Sequence, residues 1–352
     1  QWVKDNEPKN YDRIHKIMLP GDYIAMKLTG DILTTASGLS EGILWNFKRG
    51  HLAEEMLENL GIDNALVPKI VDTFSDQGLI TKAFAEKFGL SRDLTVNYRA
   101  GDQPNNAFSL NVLNPGEVAT TAGTSGVVYG VSDAITYDPK SRVNTFAHVN
   151  HQSDDPRLGI LLCINGCGIS NSWIKNIVGR YDYPQMNALA EKIAIGSEGI
   201  QILPFGNGAE RMLENKNPGA VIHGLDFNRH CEAHLFRATH EAVAFAFSYG
   251  MEIMEAMGVN LQIMRAGSAN MFLSPIFRQT LSNINESVIE LYNTDGSVGA
   301  ARGAALGGGY YHSAGEAFNN LKVIKRIEPI TETLPAAKNA YYNWKEKLQQ
   351  LM

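Results

Sequence analysis

Apolar residues in the first third of the chain recur three and four positions apart. "NYDRIHKIM", "GDYIAMKLTG", "LAEEMLENLG" and "KAFAEKFGL" therefore predict helices, the last three stopping at Gly30, Gly61 and Gly89. "LTVNYRAG", residues 94–101, predicts a short strand that runs into a turn carrying Asp102. Past Pro115 the period shortens. "EVATTAG" and "GVVYGVS" are β-rich halves around Gly123-Thr124-Ser125-Gly126, a hairpin pattern. "LGILLCING" is apolar throughout, as a strand covered on both faces would be. "GIQILPF" and "GAVIHGL" are extended, and residues 230–258 form a long helix with Leu235, Ala238, Ala242, Phe245, Tyr249 and Ile253 on one face. "LQIMRAG" and "SVIELY" predict strands, "MFLSPIFRQTLSNI" a helix, and "SVGAARGAALGGGYY" a helix of small residues that must pack closely. Strand–helix alternation after a hairpin predicts an α/β fold with a mixed sheet. The change near Pro115 places a domain boundary there, giving units 1–115 and 116–352 with no low-complexity linker.

Composition narrows the class. At 352 residues the chain suits about two domains. With 44% hydrophobic and 19% charged residues and a net charge of −6, it reads as globular and carries no basic block for nucleic acid. No apolar run is long enough to span a membrane. Three cysteines, Cys163, Cys167 and Cys231, favour a reducing, cytoplasmic setting over a disulfide framework.

Four patterns carry candidate chemistry. Gly123 to Gly126 places two glycines around two small hydroxyl residues, so backbone N–H groups can converge on an anion; a plain tight turn has the same pattern. "GLSEG", residues 38–42, matches a nucleophile elbow but lacks a strong preceding strand, so Ser40 is not expected to be a nucleophile. "HCEAH", residues 230–234, has zinc spacing without a third ligand and reads as a solvated first helical turn. Asp102 alone reads as a turn aspartate.

"AGDQPNNAF", "GEVATTAGTSGVVYGVS", "GAVIHGLDFNRHCEAHLFRATHEA" and "IMRAGSANMFLSPIFRQTLSNI", in this order, resemble the FGGY carbohydrate kinases. With "KIMLPGDYIAMKLTG" and "ILPFGNGAERMLENKNPGA", the pattern is most similar to the xylulokinases of that family, and the likeness spans nearly the whole chain. A family signature fits from Ala220 to Glu241, with His240 standing where an aliphatic or aromatic residue is usual.

The resemblance implies an actin-like, ribonuclease H-like fold: two α/β domains around a cleft, the first incomplete. It implies ATP-dependent phosphorylation of a sugar, D-xylulose to D-xylulose 5-phosphate first, with Asp102 as catalytic base. Ribulokinase, gluconokinase and glycerol kinase types, or a non-catalytic actin-like binding protein, are the alternatives. Gln103 would line the sugar site beside Asp102, where xylulokinases often carry asparagine and glycerol kinases glutamine. Gly123, Thr124, Ser125 and Gly126 correspond to a phosphate-binding loop. "RAGSAN" corresponds to the adenosine segment, with Gly267, Ser268 and Asn270 on the nucleotide and with Ala266 and Ser268 as small departures from glycine. Mg²⁺ would accompany ATP, Asp102 being open as a contact, and a homodimer is compatible with the family. "WVKDN" reads as the tail of an internal signature, and no D-x-G-T turn occurs. The resemblance therefore implies that the start of the first lobe lies outside this chain, and that residues 1–352 alone phosphorylate no sugar at a useful rate.

Overall fold

The computed structural model describes residues 1–352. Seven strands form the central sheet, in the spatial order Val323–Ile327, Val288–Tyr292, Ile263–Gly267, Glu117–Ala122, Gly126–Ser132, Leu158–Ile164 and Asn144–Ala147. Ile263–Gly267 runs parallel to both of its neighbours, and every other pairing is antiparallel. Parallel neighbours need crossover connections. Helix Glu232–Ala256 leads into the first of them and helix Pro275–Asn285 makes the second. The mixed α/β sheet expected from the alternation is present.

Side chains alternate across the pleat. Val118, Val128, Ile160 and Leu162 enter the main core, whereas Ala119, Tyr129 and Leu161 enter a second cluster on the other face. Helices cover both faces, which is why Leu158–Ile164 is apolar at nearly every position.

Helix Glu232–Ala256 is buried on more than its predicted stripe. Phe236, Val243, Phe247, Met251 and Met254 are buried together with Ala238, Ala242, Phe245 and Ile253. The cause is packing from several sides: helices Gly168–Val178, Pro275–Asn285 and Leu334–Leu351 all contact it. Trp344 of the last helix is fully buried, and its Nε1 donates to the Ile202 carbonyl at 2.7 Å.

On the opposite face, helix Asp102–Ser109 lies against the small-residue helix Gly296–Gly307. The close packing expected of those small residues is observed. A Cβ on Gly303 would sit 2.6 Å from Tyr98 Cγ, and one on Gly299 would sit 2.8 Å from Ser109 Cβ.

Two local expectations change. "NYDRIHKIM" is helical only in Pro8–Tyr11, because Pro20 starts a new helix and holds Leu19 extended. "LTVNYRAG" forms no regular strand; single bridges Leu79↔Thr95 and Phe74↔Tyr98 tie it down. Gln201–Phe205 and Gly219–His223 are extended as expected, and pair with each other outside the main sheet. The other N-terminal helices, Pro20–Thr29, Glu54–Leu60 and Lys82–Phe88, end where predicted, the first with Gly30 left-handed at φ 85°.

One buried ion pair joins the N-terminal elements. Arg99 Nη1 donates to Asp22 Oδ1 at 3.2 Å and to the Leu33 carbonyl at 2.5 Å, and Arg99 Nε donates to Gln77 Oε1 at 2.8 Å. Thr34 Oγ1 donates to the other Asp22 oxygen at 2.8 Å. Removing one partner of such a pair leaves a buried charge unmatched. Asp22→Ala is therefore expected to lose about 3–5 kcal/mol of stability, read from denaturant midpoints; an unchanged midpoint would refute the clamp.

Under the sheet, His148 is buried and neutral in both of its bonds. Its Nδ1 accepts from the Tyr129 hydroxyl at 3.0 Å, and its Nε2 donates to the Val112 carbonyl at 2.9 Å. Burial pushes its pKa down to about 3, and burial with nearby Arg237 pushes His240 down to about 4. The unfolded chain takes up these protons near pH 6.5 while the folded chain refuses them, so their contribution to stability is lost as pH falls below 6.5. Each histidine contributes a slope of up to roughly 1.4 kcal/mol per pH unit. The imidazole resonances of both should stay in the neutral form from pH 7.5 to pH 5, an outcome that NMR titration checks directly.

Candidate active site

Asp102 owes its position to the residues just before it. Arg99 is anchored in the buried clamp, Gly101 is extended at the N-cap, and Asp102 is the first residue of helix Asp102–Ser109. Asn105 N donates to the Gly101 carbonyl at 3.1 Å, and Pro104 sits within the first turn, where no N–H is needed. The carboxylate is exposed at the positive end of the helix dipole. Its only side-chain hydrogen bond is a long one, from Gln103 Nε2 at 3.4 Å.

A second carboxylate stands beside it. Glu41 ends helix Ala36–Glu41 and lies so tightly against Gly101 that a side chain there would overlap it. Burial, and then the charge of Asp102, push Glu41 up to about 7. Its Oε1 is buried and has no hydrogen-bond partner. Both carboxylates line a cavity of about 660 Å³ with Asn105, Tyr98 and the apolar side chains of Leu19, Ile24, Ala25 and Leu28. Gln103 does not line it.

The Gly-Thr-Ser turn joins strands Glu117–Ala122 and Gly126–Ser132. The carbonyls of Gly123 and Thr124 accept from Gly168 N at 2.9 Å and Ile169 N at 3.2 Å, so the first turn of helix Gly168–Val178 clasps it. Gly123, Thr124 and Asn270 meet in a second cavity of about 450 Å³, with Gly168, Asn171 and His240. Asn270 reaches within 3.6 Å of the position a Cβ on Gly123 would take. The other residues marked by the sequence lie outside that lining. Ser125 is exposed at the tip, and Gly126 is buried, with only 2.6 Å between its Cβ position and the Phe247 ring. Gly267 ends its strand, and Ser268 is exposed, its N–H donating to the Tyr292 carbonyl at 2.9 Å.

The charge of Asp102 reaches the Cys163 thiol, which is raised chiefly by burial, and Cys163 pairs across the sheet with Val127, just inside Gly126. No third acidic or histidine ligand joins Asp102 and Glu41.

Ser40 is structural. Its hydroxyl donates to the Ser37 carbonyl at 2.7 Å and accepts from Ala147 N at 2.8 Å, tying its helix to the sheet edge. The "HCEAH" turn is less solvated than expected, because His234 packs beside Glu198 and is only 6% exposed. Its histidines act as local caps: His230 Nδ1 accepts from Asp226 N at 3.0 Å and His234 Nδ1 from Cys231 N at 3.1 Å.

Sequence reasoning missed Glu41, Asn171 and the role of Arg99. Glu41 stood inside the "GLSEG" match, where attention falls on the serine; only folding sets it against Gly101. His240 was visible as a departure from a pattern, and Asn171 gave no signal.

Residues 1–109 match the family model described as FGGY family of carbohydrate kinases, N-terminal domain. The chain is 28% identical over 364 residues to a xylulose kinase of Haemophilus influenzae, covering 99% of this chain and 71% of the relative. It is 26% identical over 307 residues to a xylulose kinase of Escherichia coli, covering 86% of this chain and 61% of that protein. The crystal structure of a "xyloylose kinase" from Brucella ovis superposes with a TM-score of 0.90 at 22% identity, covering 99% of this chain and 71% of that one, and so shares the actin-like fold. The match at the N-terminus and the xylulose kinase likeness along nearly the whole length agree: residues 1–109 match the N-terminal domain of the FGGY carbohydrate kinases, and the chain as a whole is similar to xylulose kinases.

Proposed function

We propose that these residues carry the base and part of the nucleotide wall of an ATP-dependent sugar kinase whose first-choice acceptor is D-xylulose. The observation that supports it most is Asp102: an exposed carboxylate at a helix N-terminus, lining one cavity while the Gly123-Thr124 turn lines the next. Residues 1–115 would form the sugar side and residues 116–352 the nucleotide side. The reaction needs positioning more than covalent help. A sugar hydroxyl attacks the terminal phosphorus, the bond from that phosphorus to the ADP oxygen breaks, and Asp102 takes the hydroxyl proton as the new O–P bond forms. The sugar phosphate and ADP leave, and the proton passes from Asp102 to solvent.

Thr124 and the turn backbone would hold the phosphates in a place free of bulky side chains. Gly267, Ser268 and Asn270 would follow the adenosine, Asn270 from within the cavity. Mg²⁺ suits Asp102 as one hard oxygen ligand, since that carboxylate makes only one long hydrogen bond. Such an ion would neutralise the charge of the transferred group, and within residues 1–352 no further acidic cluster joins Asp102 in holding it.

Gln103 touches the base without lining the cavity, and its residue type supports one second reading, a kinase of the glycerol kinase type. Assaying the full-length protein against pentuloses, gluconate and glycerol decides between them, and preference for D-xylulose is expected. In the same protein, Asp102→Asn should lower kcat about 10²- to 10⁴-fold while nucleotide affinity, followed by calorimetry, changes little. Turnover within a few-fold of the unsubstituted protein would remove Asp102 from the role of base.

A further inference from the structure

Glu41 is a carboxylate for which the protein provides no donor. Its Oε1 is buried without a partner, and the only cation lining its cavity, Arg99, is bound to Asp22 through Nη1 and makes no bond to Glu41, its Nη2 being unpartnered as well. A buried polar atom left unmatched carries a desolvation cost, and such atoms in native structures point to something that completes them. The contact with Gly101 keeps the carboxylate over the backbone that delivers Asp102. Two carboxylates therefore flank one glycine and share one cavity.

We propose that Glu41 is a substrate-contacting residue whose Oε1 accepts a hydrogen bond from a second sugar hydroxyl, next to the one whose proton Asp102 takes. The proposal rests on the reading of Asp102 as base and sets the substrate class more narrowly. Adjacent hydroxyls are the donors that two adjacent carboxylates can match together. The apolar side chains of Leu19, Ile24, Ala25 and Leu28 suit the C–H face of such a molecule. An acid would meet the charge of Asp102, and the one cation lining the cavity is already paired with Asp22, so the cavity favours a neutral ketose or polyol over aldonates. A cation is the competing occupant. Asp102 is the carboxylate open to it, being exposed, whereas the Glu41 oxygen is buried and no third acidic ligand joins the two.

The test uses the full-length protein with Glu41→Ala and Glu41→Gln, assayed against D-xylulose and its 4-deoxy analogue, which lacks the hydroxyl beside the reacting one. Glu41→Ala should raise the KM for D-xylulose about 10- to 100-fold, the range for one lost hydrogen bond to a charged group, with KM for ATP within about twofold. Glu41→Gln keeps one acceptor oxygen and the shape of the side chain, so it should fall between. The 4-deoxy analogue should be equally poor with the native and Ala proteins, because the contact is already gone. An unchanged KM for D-xylulose, an equal further loss with the deoxy analogue, or an effect confined to ATP or to the Mg²⁺ requirement would each overturn the assignment. Thermal unfolding of both variants separates misfolding from lost contact, and the Gln variant alone carries the test if the Ala protein does not fold. Failure of the base reading is distinguishable: Asp102→Asn would then retain turnover whatever Glu41 does to KM.

Discussion

A guanidinium buried at Arg99 governs the geometry of everything around Asp102. Charge inside a low-dielectric interior must be matched, and here the match comes from three separate places: Asp22 on a helix, the Leu33 carbonyl, and the Gln77 side chain. These partners take up Nε and Nη1, while Nη2 stays buried without one. The chain two residues further on, at Gly101, is thereby delivered to the cavity, and helix Asp102–Ser109 begins at its edge. Segment 94–101 makes no regular ladder, so this buried pair supplies positioning that strand pairing would otherwise give.

Close packing does the rest. Gly299 and Gly303 let helix Gly296–Gly307 approach Ser109 and Tyr98, while Ala107 and Leu110 rest on the sheet beside Tyr129. Tyr129 in turn occupies the space that a side chain on Gly159 would fill, and holds His148 by its hydroxyl. The start of the helix bearing Asp102 is thus referenced to the sheet whose hairpin carries Gly123 and Thr124. A sugar kinase of the proposed kind needs that shared reference, because acceptor oxygen and phosphorus must be held about 3–3.5 Å apart and a misplacement of about 1 Å is costly.

Much of the architecture was legible from periodicity. The hairpin, the fully apolar strand Leu158–Ile164, the long helix and the small-residue helix all stood in the pattern, because burial on one or both faces dictates which positions are apolar. The failures are also physical. "NYDRIHKIM" has helical spacing, yet Pro20 resets the backbone after it. "LTVNYRAG" has strand composition, but its backbone groups find irregular partners at Ser75, Gln77, Gly78 and Ile80. The long helix has one obvious stripe, and neighbours from distant parts of the chain cover its other sides.

For the site, the sequence by itself marked Asp102, Gly123, Thr124 and Asn270, because turns and small-residue loops leave local signatures and the family pattern names them. It determined the α/β class and the helix and strand order for the same reason: both are local or periodic properties. Tertiary structure alone decided that Gly126 is spent on Phe247, that Ser125 points away from the cavity, and that Glu41 lies against Gly101. Glu41 and Gly101 are sixty positions apart, and their contact depends on a buried ion pair and on the absence of a single Cβ. No pattern along the chain records a distance of that kind.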